Sequence, residues 1–148
     1  MRREIEHAAL PQNLQAFRDF IEKACRGAGV ELSVTRDLKI AVDEACSNIV
    51  EHGYARRPPG SIGVSFEANG EKVVILITDR GNPFDPEDAP APDLDSDWRS
   101  RRVGGLGWSL IRKLVDEVAY GSDPKTGNCL TLIKKTSHAD PGGGREED

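Results

Sequence analysis

The chain has 148 residues, of which 37% are apolar and 30% charged, the composition of one globular domain rather than a disordered or fibrous chain. Twenty basic against 25 acidic residues leave a net charge of −5, which excludes general electrostatic binding to nucleic acid, because that needs a basic face to displace counterions. No apolar run approaches the ~20 residues that cross a bilayer, and no apolar leader follows Arg2-Arg3, so a cytoplasmic protein without membrane contact is expected.

Residues 2–8 read as a short edge strand. Over 12–28, Leu14, Phe17, Phe20, Ile21 and Ala24 recur at three and four and predict a helix. Gly27 and Gly29 stop it. A second helix is expected from Ser33, whose hydroxyl can cap the first turn, to His52. Leu38, Ala41, Val42, Ala45 and Ile49 form its apolar stripe. Gly53 and Pro58-Pro59-Gly60 end it. Ile62, Val64 and Phe66 alternate with Gly63, Ser65 and Glu67, the pattern of a strand with one buried face. Asn69-Gly70 predicts a hairpin turn, since both residues tolerate positive φ. Val73-Val74-Ile75-Leu76-Ile77 does not alternate and predicts a central strand covered on both faces.

Residues 80–104 carry Pro83, Pro86, Pro90 and Pro92, which forbid a continuous helix. An irregular stretch of this length is a functional lid or a disordered segment. Its middle is acidic (Asp85, Glu87, Asp88, Asp93, Asp95, Asp97) and its end basic (Arg99, Arg101, Arg102). A third helix is expected from Gly107, with Leu110, Ile111, Leu114, Val115 and Val118 on one side. Trp108 falls beside that core and has packing as its simplest role. Residues 118–120 and 129–133 read as two closing strands around an Asp123–Gly127 turn. The domain is expected to occupy 1–136, with a disordered Gly-rich tail over 137–148. Cys25, Cys46 and Cys129 are scattered among apolar neighbours and read as buried thiols, not as zinc ligands or a disulfide frame.

Three groups carry possible chemistry. Glu44 and Asn48 stand four apart on the second helix, so they share one face at the border of the apolar stripe. Asn48 offers an amide oxygen suited to Mg²⁺, and Glu44 a carboxylate suited to take a proton; a plain polar helix edge is the other reading. Asp79 ends the most apolar strand, where a carboxylate is costly unless a hydrogen-bond donor such as an adenine amino group meets it. Gly81, two residues on, allows backbone to approach a flat ring; an ordinary strand-to-loop turn has the same residues. Gly104-Gly105-Leu106-Gly107 directly precedes a helix, a geometry that cradles phosphate with backbone N–H groups, although a glycine hinge reads the same. Arg102 can reach phosphates from the preceding segment.

The order of these groups is more specific than any one of them. Ala41-Val42-Asp43-Glu44-Ala45-Cys46-Ser47-Asn48 through His52-Gly53-Tyr54, then Thr78-Asp79-Arg80-Gly81-Asn82-Pro83-Phe84-Asp85-Pro86, then Gly104-Gly105-Leu106-Gly107-Trp108 through Val118 follow one another. The sequence resembles the Bergerat, or GHKL, ATP-binding fold. Within it the chain is similar to the anti-sigma factor serine/threonine kinases. Gly127-Asn128-Cys129-Leu130-Thr131-Leu132 adds to the likeness, which covers roughly residues 8–136.

The resemblance implies an α/β fold, a two-layer α+β sandwich with helices on one face of a mostly antiparallel mixed sheet. It implies ATP with Mg²⁺ between the helices and the lid. Glu44 would be the general base, Asn48 the Mg²⁺ ligand and Asp79 the adenine contact. Gly81 would line the base pocket, and Gly104, Gly105, Gly107 and Arg102 would surround the phosphates. The implied activity is phosphorylation of an anti-anti-sigma factor, with a sigma factor as second partner and a homodimer as the assembly. A nucleotide-binding, partner-switching module without kinase activity and a GHKL ATPase stay open as alternatives.

Overall fold

The structure, a computed structural model, describes residues 2–83 and 107–139. Strand β1 (Arg2–Ala8) leads through a single 3-10 turn (Pro11–Asn13) into α1 (Leu14–Gly27) and α2 (Leu32–Asn48). A π-helical turn (Ile49–Gly53) extends α2, and β2 (Ser61–Ala68) and β3 (Gly70–Asp79) follow as a hairpin. After α3 (Gly107–Leu114), β4 (Glu117–Asp123) and β5 (Gly127–Ala139) close the described chain.

The strands form one sheet in the order β1-β2-β3-β5-β4. The expected mostly antiparallel sheet is antiparallel at each of these pairings. β3 is the central strand, and β1 is an edge strand as its sequence predicts. The Asn69-Gly70 turn forms, with Gly70 at φ 93° and the Asn69 side-chain oxygen accepting the Glu71 and Lys72 N–H groups, each at 3.1 Å.

Helices α1 and α2 cover one face of the sheet. Phe17 and Ile21 of α1, Leu38 and Val42 of α2, and Ile62, Phe66, Ile75 and Ile77 of the strands are all fully buried. Each such side chain contributes about 1.5–3 kcal/mol on leaving water. The layer is tied at its edges. Arg18 of α1 pairs with Asp43 of α2, and Lys39 with Glu22 at 2.8 Å. The Thr136 hydroxyl of β5 donates to a Glu31 carboxylate oxygen at 3.0 Å, at the start of α2. No helix among the described residues is long and apolar enough to cross a membrane.

Several local expectations need correction. Ser33 lies inside α2 rather than capping it; Glu31 is the N-cap, and its carbonyl accepts both the N–H and the hydroxyl of Thr35 at 2.9 Å. The α-helix stops at Asn48, not His52, because the chain widens into the π turn. The central strand is not covered on both faces. Val73, Ile75 and Ile77 are buried under the helices, but Val74 and Leu76 on the reverse face are only half-buried. Cys25 and Cys46 are buried as expected, whereas Cys129 sits on that reverse face and is half-buried. β5 runs through Ala139, where it pairs with Gly70, so strand continues past the expected start of a tail at Ser137.

Candidate functional site

Asp79 is the last residue of β3. The pleat puts its side chain on the same face as Ile77, under the helices. Register places it opposite Asn128 of β5. One carboxylate oxygen, Oδ1, accepts the Gly81 N–H at 2.7 Å and the Asn128 Nδ2–H at 2.9 Å. Burial pushes the Asp79 carboxyl above the usual carboxylate range. The Asn128 and Gly81 hydrogen bonds and the Arg57 charge oppose that shift without cancelling it.

The carboxylate lines a narrow cavity of about 30 Å³. Ala45 and Asn48 of α2, Ile49 and Gly53 of the π turn, Asn82, Trp108 of α3, Tyr120 and Leu130 complete the lining. Among the described residues it is a cleft far smaller than the roughly 300–1,000 Å³ of ligand pockets. Asn48 projects into it at the point where α2 changes to π winding, a distortion that recurs at functional sites. Its buried Nδ2 atom has no hydrogen-bond partner, a costly state for a polar group that nothing else occupies.

The turn after Asp79 is strapped to the end of α2. Asn82 N–H donates to the Gly53 carbonyl. The Tyr54 hydroxyl accepts the Arg80 N–H at 2.8 Å and donates to the Ser61 carbonyl at 2.9 Å. Arg57 donates to the Arg80 carbonyl and to the Asn82 side-chain oxygen, both at 3.2 Å. The Asp79 turn is thereby tied to the chain just past the end of α2.

Asn48 and Asp79 line the same cavity. Glu44 lies one turn earlier on α2 and is half-buried, but it is not among the residues that line the cavity. Gly81 is buried, yet its close approach is to backbone and not to an open pocket: a Cβ there would overlap the Gly53 carbonyl. Gly107 opens α3 as expected. Gly104, Gly105 and Arg102 lie outside the described residues, as does the acidic stretch. Trp108 is buried as packing requires, and it also walls the cavity. Asn128, Tyr54 and Arg57 were not legible as site residues. The Gly127-Asn128 start of a strand was the one signal for Asn128. Cys46, two residues before Asn48, is fully buried with its thiol pushed far up by desolvation, so it is an inert neighbour and not a nucleophile.

A wider groove on the reverse side of the sheet is lined by Arg2, Glu4, Glu6, Ser65 and Leu76. These are the outward-facing alternate residues of the strands, and their polar groups do not converge on a point.

Residues 7–134 match the histidine kinase-like ATPase domain. The chain belongs to that family. Among curated relatives of this ATPase domain, the serine-protein kinase RsbW of Bacillus licheniformis is 30% identical over 145 residues, 94% of this chain and 89% of its own length. RsbW of Staphylococcus aureus is 35% identical over 125 residues, 81% of this chain and 79% of its own. Among solved structures, the RsbU and RsbW domains of a Mycobacterium tuberculosis protein match 92% of this chain with a TM-score of 0.67 and 23% identity. The ATPase domain described here spans 32% of that longer chain, and the likeness carries the fold alone. The histidine kinase domain of a blue-light activated kinase from Erythrobacter litoralis matches 85% of this chain and 60% of its own, with a TM-score of 0.52 and 18% identity.

Proposed function

We infer that this ATPase domain is a protein serine/threonine kinase that uses ATP and acts as an anti-sigma factor in the cytoplasm. Its substrate is a serine or threonine of an anti-anti-sigma protein, a sigma factor is its second partner, and it works as a homodimer. The relatives named serine-protein kinase, similar over most of both chains, support the kinase reading. The observation that carries the nucleotide reading is Asp79: a desolvated carboxylate aimed into a cavity, with Asn48 on the facing wall. A carboxylate in that position suits the exocyclic amine of adenine and disfavours the carbonyl of guanine.

Mg²⁺ fits the residues present. Asn48 lines the cavity, and its amide offers one hard oxygen donor. That donor set suits a cation that takes one protein oxygen and completes its shell with phosphate and water. Asn48 Oδ1 would hold the ion, whose role is to neutralise the phosphate charge. Asp79 orients the base. Glu44 takes the proton from the attacking hydroxyl. Positioning and charge neutralisation supply most of phosphoryl-transfer catalysis.

The test is transfer of labelled γ-phosphate from ATP to a candidate antagonist protein by wild type and Glu44→Ala. Loss of transfer by about 10²–10⁴-fold with ATP binding kept is the expected result. Equal transfer by both removes Glu44 from the base role. One observation favours a second reading, an ATP-binding partner switch without transfer: Glu44 does not line the cavity. ATP binding with no transfer to any antagonist would establish that reading.

A further inference from the structure

Asn128 is 3% exposed and every polar atom of its amide is engaged. Nδ2 donates to Asp79 Oδ1 and to the Gly81 carbonyl, both at 2.9 Å. Its Oδ1 accepts the Ser122 hydroxyl at 2.6 Å. Ser122 lies on the exposed edge strand β4, directly opposite Asn128. Gly127, just before it, sits at φ 93° against the Asp79 carbonyl, so the start of β5 is pressed onto the end of β3.

The consequence concerns the two oxygens of Asp79. Oδ1 is taken twice, by Gly81 and Asn128. Oδ2 has no hydrogen bond among the described residues. A carboxylate otherwise turns about its last torsion with a broad, two-fold preference. A donor fixed on Oδ1 removes that freedom and leaves Oδ2 as the acceptor open to a ligand. The Gly81 carbonyl can only accept, so the amide nitrogen must be the atom that faces it and Asp79, and the Ser122 hydroxyl then donates to Asn128 Oδ1 from the other side.

We propose that Asn128 is a positioning and specificity-determining residue, which locks the Asp79 carboxylate so that Oδ2 alone receives the amino group of a bound adenine, with the Ser122 hydroxyl holding the far end of the Asn128 amide in place. This rests on the reading of Asp79 as the base contact. Asn128 does not touch the nucleotide. It acts through Asp79, and its effect is confined to the part of the ligand that Asp79 reads.

The test is a cycle of two changes, one in the protein and one in the ligand. Equilibrium binding of ATP and of purine riboside triphosphate, which lacks the 6-amino group, is measured for wild type and Asn128→Ala. Wild type is expected to prefer ATP by about 10- to 100-fold, the worth of one hydrogen bond to a charged group. In Asn128→Ala that preference is expected to shrink by about tenfold, while the analogue binds within about twofold of wild type. A purely structural role would weaken both ligands equally and leave the preference unchanged, and that result overturns the proposal. A wild type with no preference between the two ligands removes Asp79 from the base contact and takes the proposal with it. If Asn128→Ala fails to fold, Ser122→Ala gives the same reading from an exposed position. A smaller loss of preference, about two- to threefold, supports the proposal; an unchanged preference rejects it.

Discussion

Gly81 lies so close to Gly53 that no Cβ fits between them. The contact joins the turn after β3 to the π turn after α2, and the Asn82 N–H donates to the same Gly53 carbonyl. Two glycines thus set the distance between the wall that bears Asp79 and the wall that bears Asn48. Gly81→Ala must push these backbones apart. A loss of about 1–3 kcal/mol in stability is expected, measured as a lower urea midpoint with an unchanged slope. ATP affinity is expected to fall with it, because the Asp79 turn moves.

Asp79→Asn tests the acid without removing its volume. The amide loses the charge that attracts an exocyclic amine and presents a donor in some orientations. ATP affinity is expected to fall about 10- to 100-fold by calorimetry. Stability at neutral pH is expected to hold or rise, since a desolvated charge is removed. A variant that binds ATP as wild type does would take the base contact away from Asp79.

The raised Asp79 carboxyl gives a pH dependence with a definite sign. The folded, nucleotide-free protein holds this proton more tightly than the unfolded chain. The stability this group contributes is therefore present below the ordinary carboxylate value and lost as pH rises through the raised one. A donor on Oδ2 favours the ionised form, so binding expels the proton. Adenosine, which has no titrating phosphate, is expected to bind more weakly as pH falls through the raised value and to level off above it. Asp79→Asn is expected to bind adenosine with no such dependence.

Tyr54→Phe removes one hydroxyl that serves two backbone groups, the Arg80 N–H and the Ser61 carbonyl. Tyr54 is buried, so both partners lose a bond in a site that water reaches poorly. A cost of about 1–3 kcal/mol is expected by chemical denaturation. Hydrogen exchange at the Arg80 amide should accelerate more than that of the β3 interior, since the bond it loses is the local one.

How much of this was legible in the sequence follows from the range of each signal. The helix over Leu14–Gly27 and the hairpin at Asn69-Gly70 are short-range patterns, and both formed within a few residues of expectation. The run Val73–Ile77 misled. Five apolar residues suggest two covered faces, yet only alternate ones pack under helices here. The π turn at Ile49–Gly53 was invisible, because its apolar spacing is that of an ordinary helix end. Asn128 was invisible as a site residue for a different reason. Its meaning lies in a partner forty-nine positions earlier in the chain.

The sequence alone determined the order of helices and strands, the acidic net charge, and the spacing of Glu44 and Asn48 on one helix face. Local periodicity and turn chemistry act over a few residues, and they are written in the residues themselves. Only the tertiary structure decided which of those residues share a cavity, that Glu44 stands off its wall, and that Gly81 meets backbone. It alone decided that Asn128 holds Asp79. Those outcomes depend on strand register between β3 and β5 and on how α2 ends, and both are fixed by packing across the whole sheet.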